Sequence, residues 1–246
     1  MRDEWFRTWF ESDYYLKVYK HRNLEDAEKL VRLIISQDAI KSGGRLLDLG
    51  CGAGRHAAIF AGEGFEVFGI DISNNLLKLA RRDSEQKGIS LSLMRADLRR
   101  IPLRSGFDIV TNLFTTFGYF HSTEENFSIF RSSFELLNQG GIFVFDYLNP
   151  IHLSRNLISE SREEFDGIFL LQKREISGSR VRKHITLQSG EESFNYCEDV
   201  RLYYDDELRE GLSEAGFDLI QLYGDYSGAK FEHEKSPRFI AICQKS

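Results

Sequence analysis

The sequence predicts an α/β protein with a doubly wound, mostly parallel sheet of seven strands and an inserted antiparallel β meander. Short apolar runs alternate with segments of helical periodicity over residues 45–147. Such alternation is typical of a parallel sheet with helices on both faces. Three strand-like runs then follow one another over residues 167–203 with no helix between them, which predicts the meander.

The alternating part begins after a predicted helix at 23–40, whose apolar residues recur at helical spacing. Ser42, Gly43 and Gly44 then break the chain. The predicted strands of this part are 45–49, 65–70, 89–95, 107–113 and 141–147. The predicted helices between them are 55–61, 74–87 and 124–137.

In the second half, the turn residues SGS and SGEE separate predicted strands at 167–176, 180–188 and 193–203. A helix at 205–215 and strands at 217–223 and 238–243 follow. The segment GDYSGAKFEHEKSP joins these last two strands and has no helical periodicity. Because a parallel connection normally needs a helical crossover, the last strand is predicted to be antiparallel.

Composition limits the classes of function. The 246 residues carry a net charge of −6, which weighs against a nucleic-acid partner without excluding one. No apolar run has the length of a membrane span, and the charged, aromatic N-terminus resembles neither a signal peptide nor a transit peptide. The cysteines lie far apart and the histidines show no ligand spacing. We therefore expect a cytoplasmic monomer or homodimer with no protein-bound metal and no membrane partner.

The stretch LLDLGCGAGRHAAIFA (46–61) indicates a ligand-binding loop. Its glycines form a GxGxG pattern at Gly50, Gly52 and Gly54. The dinucleotide fingerprint GxGxxG would place Gly or Ala where this chain has Arg55. Asp48 precedes the loop, and a carboxylate there would repel a pyrophosphate but attract a cation. Both features weaken, but do not exclude, a dinucleotide.

Two further acids end the next two predicted strands. Asp71 could accept hydrogen bonds from ribose hydroxyls of any adenosine cofactor. Asp97 could accept one from an adenine amine, with Ile72 and Leu98 as apolar walls. Each acid alone could equally be a helix cap. The ordered set at successive strand ends is more specific, because ligands bind at the carboxyl ends of such strands.

These motifs, with FDIVTNLFTTFGYF and GGIFVFDYLNP, resemble the motif series of class I S-adenosylmethionine-dependent methyltransferases over about residues 46–150. The chain is also similar to the subgroup with a β-rich insertion after the fifth strand. The resemblance implies the Rossmann-like methyltransferase fold, with S-adenosyl-L-methionine as cofactor and S-adenosyl-L-homocysteine as product. It divides the chain into an N-terminal closing segment (1–40), a cofactor-binding core (41–150), the insertion as a substrate lid or an interface (151–204), and a C-terminal part that completes the sheet (205–246).

The resemblance also implies roles for individual residues. Asp48 and the three loop glycines would surround the methionine part, Asp71 would bind the ribose, and Asp97 with Leu98 would bind the adenine. The predicted cofactor site is completed by Cys51, Ile72, Asn112, Leu113, Tyr15 and Arg22.

The stretch SDYYLKVYKHR resembles a segment that closes over the cofactor in related enzymes. Arg22 could pair with the methionine carboxylate. Tyr15 and Tyr19 lie one helical turn apart, so simple packing between them is an equal alternative.

The methyl acceptor is expected beyond the fourth strand, where residues 112–121 are unusually aromatic. His121 is the candidate general base, because its ordinary pKa suits neutral pH, and Tyr119 is the second catalytic candidate. The predicted substrate residues are Tyr19, Phe114, Phe117, Tyr119, His121 and Asn149. Core packing is the alternative for the phenylalanines. The basic residues of the meander could favour an acidic substrate, but their alternation favours a solvated face for most of them.

The sequence therefore predicts methyl transfer to a nitrogen or oxygen atom of a small molecule. The NPPY or DPPY signature of nucleic-acid base methylation is absent. The alternatives left open are an RNA or protein methyltransferase, an NAD(P)-dependent oxidoreductase and a non-catalytic module with the same fold.

Overall fold

The computed structural model describes residues 4–19 and 24–246. Its helices are α1 (Trp5–Phe10), α2 (Tyr15–Val18), α3 (Leu24–Ile35), α4 (Arg55–Gly62), α5 (Asn74–Gln86), α6 (Thr123–Leu136), α7 (Pro150–Asn156) and α8 (Asp205–Glu214). Its strands are β1 (Arg45–Leu49), β2 (Glu66–Asp71), β3 (Ser92–Arg95), β4 (Phe107–Asn112), β5 (Leu137–Leu148), β6 (Glu160–Phe165), β7 (Ile168–Ser177), β8 (Arg180–Ser189), β9 (Glu192–Arg201), β10 (Phe217–Tyr223) and β11 (Arg238–Lys245).

The larger sheet has seven strands in the order β10-β11-β5-β4-β1-β2-β3. Strands β1 to β5 pair in parallel, and β11 is antiparallel to both β5 and β10. The prediction of a doubly wound sheet with an antiparallel last strand is therefore confirmed. The chain reaches this arrangement because the link between β10 and β11 contains no helix that could make a parallel crossover.

Two apolar cores cover the two faces of this sheet. Successive residues of a strand point to opposite faces, so Leu46 belongs to the core under α3 and α4, and Leu47 to the core under α6 and α8. Serine caps start two of the surrounding helices. Ser73 accepts a hydrogen bond from the backbone N–H of Leu76, and Ser122 accepts one from that of Glu125. Because β1, β2 and β4 are parallel, their carboxyl ends lie on the same side of the sheet. The helices that start there, α5 and α6, are held by these caps.

A second sheet has four antiparallel strands in the order β6-β7-β8-β9. The predicted meander is confirmed with one strand added, since β6 was not expected. Its sequence, ESREEF, is mostly exposed and nearly all polar, so it lacks the apolar alternation that indicates a strand. The predicted helix at 23–40 is also too long, since α3 ends at Ile35. The side chain of Gln37 then donates to the carbonyl of Leu33, which favours a turn.

The N-terminal helices α1 and α2 pack between the two sheets. Trp9 is fully buried in a third apolar cluster with Leu170 and Leu187 of the second sheet. The indole N–H of Trp5 donates to the carbonyl of Asp199 in β9 at 3.0 Å. No helix in the described part of the chain is long and apolar enough to cross a membrane.

Phe117 lies in the main core and was predicted to contact substrate. It is fully buried and stacks on Phe130, with ring centroids 5.0 Å apart and ring planes at 8°. Rings of Phe145 and Tyr147 approach it edge-on. Its position therefore indicates a packing role rather than contact with substrate.

We expect Phe117→Ala to lower the free energy of unfolding by about 3–5 kcal/mol, because the cavity left in this aromatic core cannot fully collapse. Urea unfolding followed by circular dichroism measures the change. Phe169→Ala is the control, since Phe169 is 40% exposed on the second sheet and should lose only about 0.5 kcal/mol. Equal effects of the two substitutions would contradict the core assignment.

Candidate active site

The glycine loop between β1 and α4 is pinned to the neighbouring strand. The backbone N–H groups of Gly50 and Cys51 donate to the carbonyl of Ile70 at 2.8 and 3.0 Å. Gly50 has a φ of +75°, and a Cβ there would lie 2.2 Å from Thr116 Cγ2. A glycine is therefore required by both the backbone and the neighbouring side chain. This contact brings the segment after β4 directly against the loop.

Asp48 is a buried carboxylate at the end of β1. It is 2% exposed, and Oδ1 accepts a hydrogen bond from Thr111 Oγ1 at 2.9 Å. Its Oδ2 has no hydrogen-bond partner among the described residues. Burial, with nearby Asp71 adding to it, raises the pKa of Asp48 to about 7. A buried carboxylate oxygen without a donor, beside a cavity, is suited to a cationic ligand group.

His56 lines the same cavity from the first turn of α4. Burial, together with the positive charges of Arg55 and Arg238, lowers the pKa of His56 to about 3, so the imidazole is neutral at pH 7. Its Nε2 also has no partner within the described part of the chain. This neutral ring was not predicted, although the letters RHA directly follow the glycine loop.

Asp71 at the end of β2 uses one oxygen to hold the glycine loop and the other to hold the turn before α5. Oδ2 accepts from the backbone N–H of Gly52 and Oδ1 from that of Ser73, each at 2.8 Å. Burial raises the pKa of Asp71, and the backbone donors partly oppose this rise. Asp71 therefore positions the loop and also faces the cavity.

These residues line a cavity of about 200 Å³, which we name the inner chamber. The predicted residues that line it are Tyr15, Tyr19, Asp48, Gly50, Cys51, Gly52, Asp71, Leu113, Phe114 and Tyr119. The residues that sequence reasoning did not assign to it are Phe10, Leu16, Ala53, Arg55, His56, Leu76 and Thr116. Burial raises the pKa of the Cys51 thiol far above its ordinary value, so this cysteine is a neutral wall residue.

A second cavity of about 260 Å³, the outer chamber, lies between the strand ends and the second sheet. The two chambers share Phe10, Tyr15, Phe114 and Tyr119, which we name the aromatic constriction. The rings of Phe10 and Tyr15 are 5.0 Å apart, and those of Phe10 and Tyr119 are 5.8 Å apart. The outer chamber is otherwise lined by Trp5, Thr115, Leu148, Leu153, Leu157, Arg174, Val181, Lys183, Glu198, Val200 and Arg238.

A strained turn places Phe114 in this constriction. Phe114 and Thr115 have φ values of +58° and +64°, which side-chain-bearing residues rarely adopt. Fully buried Asp146 accepts from the backbone N–H of Phe114 at 2.9 Å and forms an ion pair with Arg238 at 2.7 Å. Arg238 also donates to Thr115 Oγ1 at 3.1 Å. The ion pair thus holds the strained turn, and Arg238 was not predicted.

Asp97 lies outside both chambers, although it was predicted to bind adenine. Its carboxylate accepts from Arg99 Nη2 at 2.7 Å and from Arg7 Nη2 of α1 at 2.8 Å. These guanidinium groups lower the pKa of Asp97 against the opposing effect of burial. Ile72 and Leu98 are partly buried against the main core beside α1 and line neither chamber. Helix α1 therefore covers the region where an adenine was expected.

Four other predicted residues line neither chamber. His121 is exposed and lines neither of them, so its position does not support the predicted role as general base. Asn149 caps α7 and donates to the carbonyls of His233 and Ser236, which is a structural role. Asn112 donates to the carbonyls of Leu49 and Thr116, and Gly54 caps α4. Arg22 lies outside the described residues.

The meander's basic residues divide between its two faces. Lys173 and His184 are exposed, as the predicted solvated face requires. Arg174 and Lys183 instead line the outer chamber, so these two side chains do not belong to the solvated face. No group of three or more potential metal ligands is found in ranges 4–19 and 24–246.

Comparison with known proteins gives the family. Residues 46–141 match the family model described as a methyltransferase domain. The ubiquinone/menaquinone biosynthesis C-methyltransferase UbiE of Pseudomonas aeruginosa (strain LESB58) is 30% identical over 206 residues, which cover 80% of this chain and 74% of that protein.

Solved structures show the same fold. The CcbJ methyltransferase of Streptomyces caelestis superposes with a TM-score of 0.83 at 21% identity, and the match covers 99% of each chain. CalS10 of Micromonospora echinaspora, an amino pentose methyltransferase solved with S-adenosylmethionine bound, has a TM-score of 0.71 at 20% identity, covering 96% of this chain and 98% of its own.

Asp48→Asn should stabilise the ligand-free protein at neutral and alkaline pH. The folded-state pKa of Asp48 is raised from 3.8 to about 7, so the folded protein holds a proton that the unfolded chain releases. Protonation of Asp48 therefore stabilises the folded wild-type protein. This contribution is fully present below about pH 4 and is lost as the pH rises through 7. Asparagine resembles the protonated carboxyl, so we expect a gain of a few kcal/mol at pH 8 that vanishes towards pH 4.

Urea unfolding of both proteins between pH 4 and 8 measures this gain. The pKa of His56 is lowered, so this residue makes both proteins less stable as the pH falls below 6.5, which opposes the effect of Asp48 in the wild type. The difference in the free energy of unfolding between the two proteins is therefore more informative than the pH profile of either one. Asp83→Asn is the control, because Asp83 is 45% exposed beside Arg82. A pH-independent difference for Asp48→Asn would contradict the raised pKa.

Proposed function

We propose that this chain, which belongs to the class I S-adenosylmethionine-dependent methyltransferase family, transfers a methyl group to a nitrogen or oxygen atom of a small-molecule acceptor. One observation carries the proposal: the inner and outer chambers meet at the aromatic constriction. One chamber adjoins the glycine loop and the other adjoins the second sheet. A donor and an acceptor could therefore face each other across four shared side chains.

S-adenosylmethionine, the cofactor of this family, supplies an electrophilic methyl group on a sulfonium when it is bound. The inner chamber fits its amino-acid end, because Asp48 Oδ2 is a buried acceptor without a donor, and the ligand carries an ammonium group. We assign Asp48 to the ammonium and Asp71 to the ribose hydroxyls. The backbone around Gly50 and Gly52 would allow close approach of the ligand.

The protein's contribution is positioning. The strained turn at Phe114, held by Asp146 and Arg238, fixes one wall of the constriction. Tyr119 and Phe10 contribute further walls and contact each other through their rings. Holding two reactants in line can contribute roughly 7–11 kcal/mol to lowering a barrier. The aromatic walls of the constriction would also exclude water from a methyl group held there.

A small acceptor fits the outer chamber better than a macromolecule does. Its volume is about 260 Å³, and α1, α7 and three strands of the second sheet surround it. The named relatives differ, since UbiE is a C-methyltransferase and CalS10 is an amino pentose methyltransferase. We favour nitrogen or oxygen here. NMR of the methylated product would identify the atom, and a new carbon–carbon bond would overturn that choice.

Asp48→Asn is expected to weaken S-adenosylhomocysteine binding by roughly tenfold to a hundredfold, because a charge-assisted contact to the ammonium is lost. Isothermal titration calorimetry at pH 8 measures the affinity, with Asp83→Asn as the matched control. The same substitution should stabilise the ligand-free protein, so weaker binding would not reflect unfolding. Folded wild-type protein that binds neither S-adenosylmethionine nor S-adenosylhomocysteine at millimolar concentration would refute the proposed function.

Leu153→Trp should abolish methyl transfer while leaving cofactor affinity unchanged. Leu153 on α7 lines only the outer chamber, and an indole there would fill the acceptor's space. Transfer of radiolabelled methyl to a panel of small amines, alcohols and acids is compared with S-adenosylhomocysteine affinity. Ile158→Trp is the control, because Ile158 is 68% exposed. Full activity of Leu153→Trp would place the acceptor elsewhere.

A further inference from the structure

A row of charged side chains crosses the inner face of the second sheet. Arg174 of β7 lies directly opposite Lys183 of β8, which lies directly opposite Glu198 of β9. We name these three residues the charged rung. On the same face, Leu170 and Leu187 are fully buried to one side of the rung. All three members of the rung line the outer chamber.

The lysine and glutamate of the rung are tied to the N-terminal helices. Glu198 Oε1 accepts from the indole N–H of Trp9 at 2.7 Å and also from the hydroxyl of Tyr19. Lys183 Nζ donates to the same hydroxyl at 2.7 Å. Tyr19 therefore links the two opposite charges, and they compensate each other.

Arg174 is partly buried and donates only to neutral oxygens within the described residues. Its Nη2 bonds to Gln172 Oε1 at 2.7 Å, and its Nη1 bonds to Ser161 Oγ at 3.1 Å and to the carbonyl of Ile158 at 3.3 Å. Two cations directly opposite each other on adjacent strands repel. Since the rung contains two cations and one carboxylate, it carries one positive charge in excess.

Among the residues that the structure describes, the other charges facing the outer chamber cancel. Arg238 pairs with fully buried Asp146, so this pair adds no net charge. The excess charge of the rung thus remains, beside an apolar wall made of Leu148, Leu153, Leu157, Val181 and Val200. A site with one uncompensated cation and a largely apolar wall complements a monoanion with an apolar body.

We infer that the acceptor is an apolar carboxylic acid whose carboxylate binds at Arg174, an inference that rests on the proposed function. A guanidinium recognises a carboxylate through paired hydrogen bonds. A single excess charge matches a carboxylate better than a doubly charged phosphate. The carboxylate binds the acceptor to the protein and is not the group that is methylated, because the rung lies on the second sheet and does not line the inner chamber. The nucleophilic atom belongs to the opposite end of the acceptor.

The test uses the full chain saturated with S-adenosylhomocysteine. Calorimetry measures the affinities of phenylacetate, 3-phenylpropanoate and 4-phenylbutanoate, each against its primary amide, its amine analogue and a phosphate ester of similar length. We expect at least one carboxylate to bind at least tenfold more tightly than its amide. Arg174→Gln should remove this preference and leave S-adenosylhomocysteine affinity unchanged.

Lys173→Gln is the matched control, since Lys173 is adjacent in sequence but exposed on the opposite face, and it should keep the preference. Equal binding of acids and amides across the whole series would overturn the inference, as would tighter binding of the amines or phosphates. Retention of the preference in Arg174→Gln would also overturn it. Failure of wild-type protein to bind S-adenosylhomocysteine would instead refute the proposed function.

Discussion

The ion pair between Asp146 and Arg238 connects the topology of the large sheet to the geometry of the site. Arg238 begins β11 and lies opposite Leu148 near the end of β5 only because β11 runs antiparallel to its neighbour. If β11 ran parallel to β5, its first residue would lie at the amino-terminal ends of the parallel strands. Removing one partner of a buried pair typically costs about 3–5 kcal/mol. Here the same carboxylate also holds the backbone of Phe114, so the pair determines where the constriction lies.

The sequence was sufficient to predict the large sheet and the part of the site around Asp48 and Asp71. Strand ends fix the positions of Asp48 and Asp71, so a motif at a strand end locates a side chain in space. Asp97 shows the limit of this reasoning, because its partner Arg7 is ninety residues away along the chain. His121 lies only two residues after Tyr119, yet it is exposed where Tyr119 lines both chambers.

Lys183 shows what the alternation of side chains along a strand can and cannot predict. It shares its strand face with Ile185 and Leu187, and this was visible in the sequence as period-two spacing. The sequence could not show that this face turns towards the strand ends rather than towards water. That depends on Trp5 and Trp9, whose indoles bond to β9. The family membership now also excludes the dinucleotide alternative that the glycine loop alone left open.

Helix α1 forms part of the walls of both chambers. Phe10 borders both, Trp5 borders the outer one, and Arg7 covers the strand end at Asp97. A rigid displacement of this single helix would therefore expose both cavities at once. Under the proposed function, one such displacement would serve both the exchange of the spent cofactor and the release of the methylated product, and its rate would set an upper limit on turnover however fast the chemistry is.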